Sequence, residues 1–333
     1  MKQRLTPSTL RLLAQGGFAL FLAWTGMRFL AHVNWAMGLT ETFTPKPPAV
    51  EGFLPISALI AAKRLLFTGR WDPVHPAGLV IFLAILLMAW LLRKGFCGQL
   101  CPVGLASNLL ERLGRKLKIA RQPGPNGRLL LGAPKYLLLL GFGYVAVTMN
   151  LEDTEQFLRA PFNMVADTKM LLFFESPSTA ALTVFGTLAA ASMVIPAFWC
   201  RALCPYGALL GLLGWLSPTA VTRDAGACVS CGRCAKACPV GLPVDTLARV
   251  SSPDCQGCGE CVSACPVKDC LGVSVFSRRI PWWSIAAGCL AILIAASLIA
   301  DALGYWQSPI APQMARRMHM LMFGGTPGGM PDF

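Results

Sequence analysis

Charged residues are scarce in this sequence of 333 residues. They make up 14% of the chain and apolar residues make up 55%, whereas ordinary globular proteins have about 25% and about 45–50%. The length alone would suggest two soluble domains, but too few charged side chains are present to coat two soluble cores. The composition therefore excludes a fully soluble protein and predicts that most of the chain lies in a lipid bilayer.

Histidine is also scarce, and several common site motifs are missing. The three histidines are His32, His75 and His319. A bis-histidine haem through His32 and His75 fits their depth, but no helix-interior histidine pair and no C-x-x-C-H sequence is present, so haem is not the expected cofactor. No Ser–His–Asp arrangement, phosphate-binding loop or dinucleotide fingerprint stands out. The sequence therefore gives no basis for predicting a hydrolytic triad or a bound nucleotide.

Five apolar stretches predict membrane spans, since a transmembrane helix needs about 20 predominantly apolar residues. The stretches are residues 10–33, 75–92, 129–149, 179–199 and 282–300. The first is too long for the apolar core of a secretory signal, and no small-residue cleavage site follows it. We therefore expect a multi-pass protein that keeps its first span.

Lysine and arginine are distributed unevenly between the predicted loops. Nineteen lie in one alternating set of loops, and eight lie in the other. The rich set is residues 1–11, 93–128 and 200–281, and the poor set is residues 34–74, 150–178 and 301–333. The positive-inside rule then predicts a cytoplasmic N-terminus, cytoplasmic cysteine clusters and a periplasmic C-terminus. The net charge of +13 mostly reflects this topology, so nucleic-acid binding is not predicted.

Eight of the fourteen cysteines form a repeated motif, C-x2-C-x2-C-x3-C-P, that begins at Cys228 and again at Cys255. In ferredoxins with two 4Fe–4S clusters, three cysteines of each motif bind one cluster and the fourth binds the other. The spacing therefore assigns one cluster to Cys228, Cys231, Cys234 and Cys265, and the second to Cys255, Cys258, Cys261 and Cys238. Structural zinc is the alternative, although zinc sites seldom use this doubled motif.

Four further cysteines lie in two turns that follow predicted spans and share the pattern aromatic-C-x2-L-C-P-x-G. They are Cys97, Cys101, Cys200 and Cys204. Pro55–Phe67 also aligns without gaps on Pro161–Phe173, which predicts an internal duplication, and duplicated membrane units commonly place a shared site at their interface. Cysteines four positions apart on a helical turn point the same way. The two turns could together form a third cluster or other metal site, a disulfide relay, or only buried structure.

These features together resemble the NapH-type membrane polyferredoxins. The resemblance covers residues 10–272, and the run Pro205–Gly214 is close to the second C-x3-C-P motif of that family. It implies a quinol dehydrogenase subunit that passes electrons between the quinone pool and a partner reductase. Related modules occur in membrane regulators of nitrous oxide reduction and in assembly factors for copper-containing oxidases. The alternative function is therefore an assembly or regulatory factor that reduces copper or a thiol for maturation of a respiratory enzyme.

The C-terminal part departs from that family, because a fifth span and a tail, residues 301–333, are added. The tail contains Met314, Met318, His319, Met320, Met322 and Met330. Thioether and imidazole groups suit Cu(I), and the alternative is an amphipathic interfacial segment. The two remaining cysteines, Cys270 and Cys289, are predicted to be packing residues.

His32 and His75 lie near the outer ends of the first two predicted spans. Quinol oxidation needs a titratable group near the membrane interface, so each is a candidate proton acceptor. Interfacial histidines without a chemical role are the commoner case.

The predicted fold class is an all-α polytopic membrane protein of about five transmembrane helices, with a cytoplasmic bacterial-type ferredoxin domain for two 4Fe–4S clusters. The predicted domains are a duplicated membrane domain, 1–220, the ferredoxin domain, 221–275, and the last span with its periplasmic tail, 276–333. The expected location is the bacterial inner membrane. The expected partners are membrane lipid, the quinone pool and other redox subunits of ferredoxin-like or cytochrome c type.

Overall fold

The computed structural model describes residues 6–276 and 278–323, most of which are helical. The helices are α1 Pro7–Ala36, α2 Pro55–Thr68, α3 Pro76–Leu92, α4 Gly95–Gln99, α5 Pro102–Lys116, α6 Pro125–Thr148, α7 Leu151–Arg159, α8 Pro161–Met164, α9 Ala166–Glu175, α10 Thr179–Val194, α11 Pro205–Trp215, α12 Arg233–Ala237, α13 Glu260–Ala264, α14 Ser284–Ala302 and α15 Pro312–Phe323. A 3₁₀ helix covers Pro48–Phe53, and a π-helical turn covers Trp199–Leu203.

Proline at the first position begins several of these helices, including α2, α5, α8 and α11. A proline costs little there, because the first N–H groups of a helix have no partner within the helix. α7 begins in another way, since Asn150 caps it and accepts a hydrogen bond from the backbone N–H of Asp153 at 2.7 Å. The proline of each C-x3-C-P motif thus explains why a helix begins directly after the second cysteine.

Two helices within the described residues, α6 and α14, are long and apolar enough to cross a membrane. α9 and α10 would make a third if they form one broken span, because they bend by 78° at a short break. α3 is apolar but has only 17 residues. α1 has 30 residues, but Arg11, Gln15 and Arg28 interrupt its apolar sequence. The structure therefore supports two or three spans, and the five predicted spans and their orientation stay predictions.

The described chain divides into two compact units, and the three predicted domains stay a prediction. Unit 1 comprises residues 6–20, 85–141 and 182–293, apart from residue 277. Unit 2 comprises residues 21–84, 142–181 and 294–323. Each unit is built from three separate segments of the chain. The ferredoxin segment and both C-x3-C-P turns lie within the segments of unit 1.

Unit 1 contains a four-stranded antiparallel sheet that the predicted all-α description lacks. Its strands are β1 Thr219–Arg223, β2 Arg249–Val250, β3 Leu271–Val275 and β4 Arg278–Ile280, in the order β2-β1-β3-β4. Val221 pairs with Val250 on one side and with Val273 on the other. Val221 and Val250 pack in a core that also contains the buried cysteines Cys234, Cys238 and Cys261. The sheet therefore anchors the cysteine loops on apolar contacts.

Unit 2 contains the two segments that the sequence aligns as a repeat, and they differ in shape. Pro55–Phe67 lies in the continuous helix α2, whereas Pro161–Phe173 is broken at Val165 into α8 and α9. Lys63 of α2 donates hydrogen bonds to the carbonyls of Ala146 and Val147 at 2.8 and 3.0 Å, near the end of α6. Those carbonyls belong to the last turn of a helix, where a cation is favourable. Lys63 of the first copy therefore caps the C-terminal end of α6.

Candidate functional site: three cysteine groups and a polar cavity

The first cysteine group lines a small cavity in unit 1, which we call the first cup. Its cysteines are Cys228, Cys231, Cys234 and Cys265, the set predicted for one cluster. Arg223 and Asp245 also line it. Cys231 is exposed and Cys234 is buried, so this cup has one side at the surface of the unit.

The second cup, also in unit 1, is lined by the cysteines Cys238, Cys255, Cys258 and Cys261. The rest of its lining is valine, leucine, proline, glycine and Gln256. Cys238 and Cys261 are buried and none of the four is fully exposed. Each cup thus collects three cysteines from one motif and one from the other. The binding of a cluster by each set stays a prediction.

Left-handed glycines allow the loops to wrap each cup. Gly232 has φ 67° before α12, and Gly259 has φ 76° before α13. A side chain at either position would be strained. The backbone N–H of Leu242 also donates a hydrogen bond to Cys238 Sγ at 3.4 Å. The loops therefore present both sulfur and N–H groups to the cups, as iron–sulfur sites require.

The cysteine sets fit a cubane better than a single metal ion. In the part of the chain that the structure describes, no three His, Cys, Asp or Glu side chains converge closely enough to hold one ion. Each cup instead presents four thiols around an open space. Burial raises the pKa of Cys258 to about 12. Such a thiol stays protonated until a metal centre displaces its proton.

The four C-x3-C-P cysteines also come together in unit 1, and we call them the thiol quartet. Cys97 lies on α4, and Cys200 lies on the π-helical turn. Cys101 and Cys204 are the N-cap residues of α5 and α11. The backbone N–H of Gly207 donates a hydrogen bond to Cys204 Sγ at 3.2 Å. The first N–H groups of a helix have no partner within the helix, so the second cysteine of each turn lies where a helix offers donors to a sulfur ligand.

Electrostatic interactions between the thiols of the quartet indicate that the four cysteines are neighbours. Burial raises the pKa of Cys97 well above its usual range, and the negative charges of the other three thiolates would raise it further. Burial likewise raises the pKa of Cys200 to about 12. The Lys94 ammonium opposes both shifts. Four neighbouring, partly buried sulfur donors beside one cation suit a metal cluster, and they can also exchange as thiol and disulfide.

A close contact joins α4 to the loop of the second cup. A Cβ at Gly98 would lie 2.2 Å from the carbonyl oxygen of Gln256 and 3.5 Å from the backbone nitrogen of Cys258. Gln99 Nε2 donates a hydrogen bond to the carbonyl of Gly257 at 3.0 Å. Arg11 donates to the Gly98 carbonyl at 2.9 Å and pairs with Glu260 at 3.1 Å. The thiol quartet and the second cup are therefore adjacent, a result that the motif spacing did not predict.

The two leftover cysteines have different surroundings. Cys289 is buried and faces Gly95, where a Cβ would lie 2.7 Å from its sulfur, as expected of a packing residue. Cys270 is also buried, but it lines the first cup and interacts with Cys228 and Cys265. Its place beside the cup arises because β3 begins directly after it. The sequence prediction of plain packing missed this proximity.

Both candidate histidines line one cavity of unit 2, of about 220 Å³. His32 Nδ1 lies 2.7 Å from the carbonyl oxygen of Thr44, and His75 Nε2 lies 2.7 Å from that of Asn163. Lys46, Glu51 and Asp167 line the same cavity, although nothing in the sequence pattern singled them out. The cavity thus brings together the two predicted residues and three charged groups.

The methionine-rich tail is helical over α15, and Met330 lies outside the described residues. His319 is buried, with Nε2 2.8 Å from Thr168 Oγ1 and Nδ1 2.7 Å from the carbonyl oxygen of Ala315. Both ring nitrogens are therefore engaged within unit 2. Met314 and Met320 are exposed, which agrees with an amphipathic segment, and copper binding by this tail stays a prediction.

Two cysteine cups on a small sheet, with apolar helices in the same chain, define an iron–sulfur protein with membrane spans. The comparisons agree with this class. A family described as "4Fe-4S dicluster domain" matches residues 220–266, and one described as "4Fe-4S binding domain" matches residues 74–120 and 178–223. The second family therefore matches both C-x3-C-P turns. No solved structure matches the chain.

The chain belongs to the family of an Escherichia coli (strain K12) protein described as "Putative electron transport protein YccM". The two are 37% identical over 317 residues, which cover 93% of this chain and 87% of the relative. The methylamine utilization ferredoxin-type protein MauN of Methylorubrum extorquens is 29% identical over 57% of this chain and 62% of its own length. The regulatory protein NosR of Pseudomonas aeruginosa is 30% identical over 57% of this chain and 27% of its own length. NapH-type membership in particular stays a prediction.

Proposed function

We propose that this chain is a membrane electron-transfer protein and acts as a quinol dehydrogenase subunit, passing electrons between the quinone pool and a partner reductase through 4Fe–4S clusters. The observation that carries the proposal is the pair of cups, each lined by four cysteines drawn from both motifs. A bound 4Fe–4S cluster would supply one-electron redox chemistry there. The name of the Escherichia coli relative, an electron transport protein, supports the same role.

The residues of each cup have distinct tasks in this proposal. Cys228, Cys231, Cys234 and Cys265 hold the first cluster, and Cys255, Cys258, Cys261 and Cys238 hold the second. The apolar lining of the second cup excludes water and protects the cluster from hydrolysis. Backbone N–H groups directed at sulfur, such as that of Leu242, stabilise negative charge and help to set the reduction potential.

The thiol quartet is proposed to hold a third redox centre. Cys97, Cys101, Cys200 and Cys204 supply four sulfur donors, and the contact between Gly98 and Gln256 brings their segment next to the second cup. Both turns also match a family described as a 4Fe-4S binding domain. A third cluster therefore has more support than a disulfide relay, because raised thiol pKa values slow thiolate chemistry.

The proposed setting is the bacterial inner membrane, with the N-terminus and the cysteine clusters in the cytoplasm and the C-terminus in the periplasm. The distribution of lysine and arginine between loops supports this orientation. The proposed partners are the quinone pool, membrane lipid and redox subunits of ferredoxin-like or cytochrome c type. Reporter fusions at the two ends would test the orientation, and a cytoplasmic signal from the C-terminus would contradict it.

The test of the main proposal uses the anaerobically purified full chain in lipid nanodiscs. Iron and sulfide analysis should give about eight irons per chain for two cubanes and about twelve for three. Addition of a reduced quinol should then bleach the iron–sulfur absorption at a rate that depends on quinol concentration. Bleaching by dithionite without any bleaching by quinol would contradict a quinol-linked role.

A second function has support of its own. One relative is named a regulatory protein, NosR, although this chain covers 27% of its length. We propose as the alternative an assembly or regulatory factor that uses the same clusters to reduce copper or a thiol for maturation of a respiratory enzyme. Reduction of Cu(II) or of a partner disulfide by the dithionite-reduced protein, without oxidation of quinol, would favour this alternative.

A further inference from the structure

Unit 2 contains an apolar cavity with a buried charge network on its wall. The cavity volume is about 220 Å³, and Phe29, Phe43, Met164, Ile310 and Met318 contribute to its apolar lining. A cavity of about 150 Å³ can hold a benzene molecule. The unit 2 cavity therefore has room for one substituted six-membered ring.

The network is built around Lys46. Its Nζ atom lies 2.9 Å from Glu51 Oε1 and 2.6 Å from Asp167 Oδ2. Burial alone would lower the pKa of Lys46, but the two carboxylates outweigh burial and raise it. Burial would conversely raise the pKa of Glu51, but Lys46 and His75 outweigh it and lower that pKa. One ammonium thus faces two carboxylates, and the network carries one net negative charge when His75 is neutral.

Hydrogen bonding determines which nitrogen of His75 can take a proton. Nε2 faces the carbonyl oxygen of Asn163 at 2.7 Å. Because a carbonyl only accepts, Nε2 carries the hydrogen of the neutral ring and Nδ1 keeps the lone pair. Nδ1 lies 3.4 Å from both Lys46 Nζ and Glu51 Oε1. A proton on Nδ1 would cancel the negative charge of the network and would face the Glu51 carboxylate.

The other titratable groups near His75 leave this acceptor available. Asp72 accepts hydrogen bonds from the backbone N–H groups of Val74 and His75, both at 2.8 Å. His319 of α15 has both ring nitrogens engaged. His32 of α1 donates from Nδ1 to the carbonyl of Thr44, which leaves Nε2 as an acceptor at the cavity. The wall therefore offers two imidazole nitrogens with a lone pair, His75 Nδ1 and His32 Nε2, to a ligand that donates protons.

We propose that this cavity binds the ring of a hydroquinone and that the Lys46–Glu51–Asp167 network, through His75, accepts the proton of one of its hydroxyl groups. In that step the O–H bond breaks, its electron pair stays on the oxygen, and an N–H bond forms at His75 Nδ1. Lys46 keeps its two carboxylate partners, and the proton on His75 Nδ1 faces the Glu51 carboxylate. The inference rests on the proposed quinol-linked function and names the site at which the quinol binds.

The test measures binding apart from electron transfer. The probe is the water-soluble, tail-less hydroquinone 2,3-dimethoxy-5-methyl-1,4-hydroquinone, titrated calorimetrically into the full chain in nanodiscs. Ile310→Trp fills the cavity without touching the charges, and it should weaken binding at least tenfold. Glu51→Gln removes the carboxylate that faces His75 Nδ1 and would stabilise a proton there, so it should weaken binding of the probe several-fold in the same titration.

A matched control and a second readout separate the possible failures. Glu155→Gln makes the same chemical change in the Arg64–Glu155 pair of unit 2, outside the cavity lining, and should bind like wild type. Equal loss of binding in that control would overturn the assignment to this cavity. If quinol reduces the clusters equally well in wild type, Ile310→Trp and Glu51→Gln, the assignment of the quinol site to this cavity is wrong and the proposed function stands. If both variants lose binding that wild type has, but quinol never reduces the clusters, the site stands and the proposed function fails.

Discussion

The two cysteine cups share one ligand spacing but differ in their surroundings. In the first cup Cys231 is exposed, and a backbone hydrogen bond at Ser230 together with Arg223 lowers the pKa of Cys228. In the second cup burial raises the pKa of Cys258 to about 12 and that of Cys261 well above its usual range. Burial also raises the pKa of Cys234 in the first cup, so the contrast between the cups lies in Cys228 on one side and Cys258 and Cys261 on the other.

This difference predicts an order of reduction potentials. A reduced cluster carries one more negative charge than an oxidised one, so an apolar environment lowers its potential. We expect the second cluster to have the lower potential and the first, with a cysteine at the surface, to exchange electrons with a soluble partner. The second cluster is expected to exchange electrons with the thiol quartet instead, because the contact between Gly98 and Gln256 places the quartet next to the second cup.

The largest expected effect comes from removing one cysteine from each cup, which tests whether the two cups hold separate clusters. Cys234 and Cys238 are four positions apart, yet they line different cups. Cys234→Ala should remove the first cluster and Cys238→Ala the second, each with a loss of about four irons per chain. Electron paramagnetic resonance of the reduced protein should therefore lose a different signal in each variant. Loss of the same signal in both variants would contradict the crossed assignment.

The next largest effect concerns the thiol quartet. Replacing Cys97 and Cys200 with serine should lower the iron content from about twelve to about eight per chain, because each turn loses one of its two sulfur donors. Both cups should keep their signals, since neither residue lines a cup. Cys289→Ser, which changes a buried cysteine outside all three groups, is the control. Unchanged iron in the double variant would rule out a third cluster.

The sequence predicted the two cups because their ligands lie in short motifs whose geometry is local. Cys228, Cys231 and Cys234 occupy one tight loop, and the motif itself implies the exchange of Cys238 and Cys265. The pattern could not reveal contacts between distant segments. Gly98 meets Gln256 across 158 positions of sequence, and the only hint was a glycine between the cysteines of one turn.

The unit 2 network was missed for a similar reason. Lys46, Glu51 and Asp167 form no motif, and a charge in a loop normally indicates a solvated surface. Only the folded chain places Asp167, more than a hundred residues further on, 2.6 Å from Lys46. His32 and His75 are candidates because they lie near the outer ends of predicted spans, and that position did not predict that one cavity would hold both. The ferredoxin sheet was missed because β2 and β4 are too short to give a periodic pattern.

A smaller effect is expected from disturbing the contact between α4 and the loop of the second cup. Gly98→Ala places a Cβ 2.2 Å from the Gln256 carbonyl oxygen, so α4 and the loop must separate. Overpacking of this kind costs about 1–3 kcal/mol of the free energy of unfolding. The midpoint of thermal unfolding in detergent should fall. Gly132→Ala on α6, where a Cβ meets nothing within 4 Å, is the control and should be neutral or slightly stabilising.

The smallest expected effect tests the electrostatics of the second cup directly. Arg11 pairs with Glu260 at 3.1 Å and opposes the rise in the pKa of Cys258, so its charge stabilises negative charge at this cup. Arg11→Gln should therefore lower the potential of the second cluster by roughly 30–60 mV, since 59 mV corresponds to a tenfold change for one electron. The first cluster, which Arg11 does not contact, should shift less. Redox titration followed by electron paramagnetic resonance measures both potentials, with the exposed Arg70→Gln as the control. An equal shift of both clusters would mean that Arg11 acts through the fold of unit 1 and that the difference between the cups has another origin.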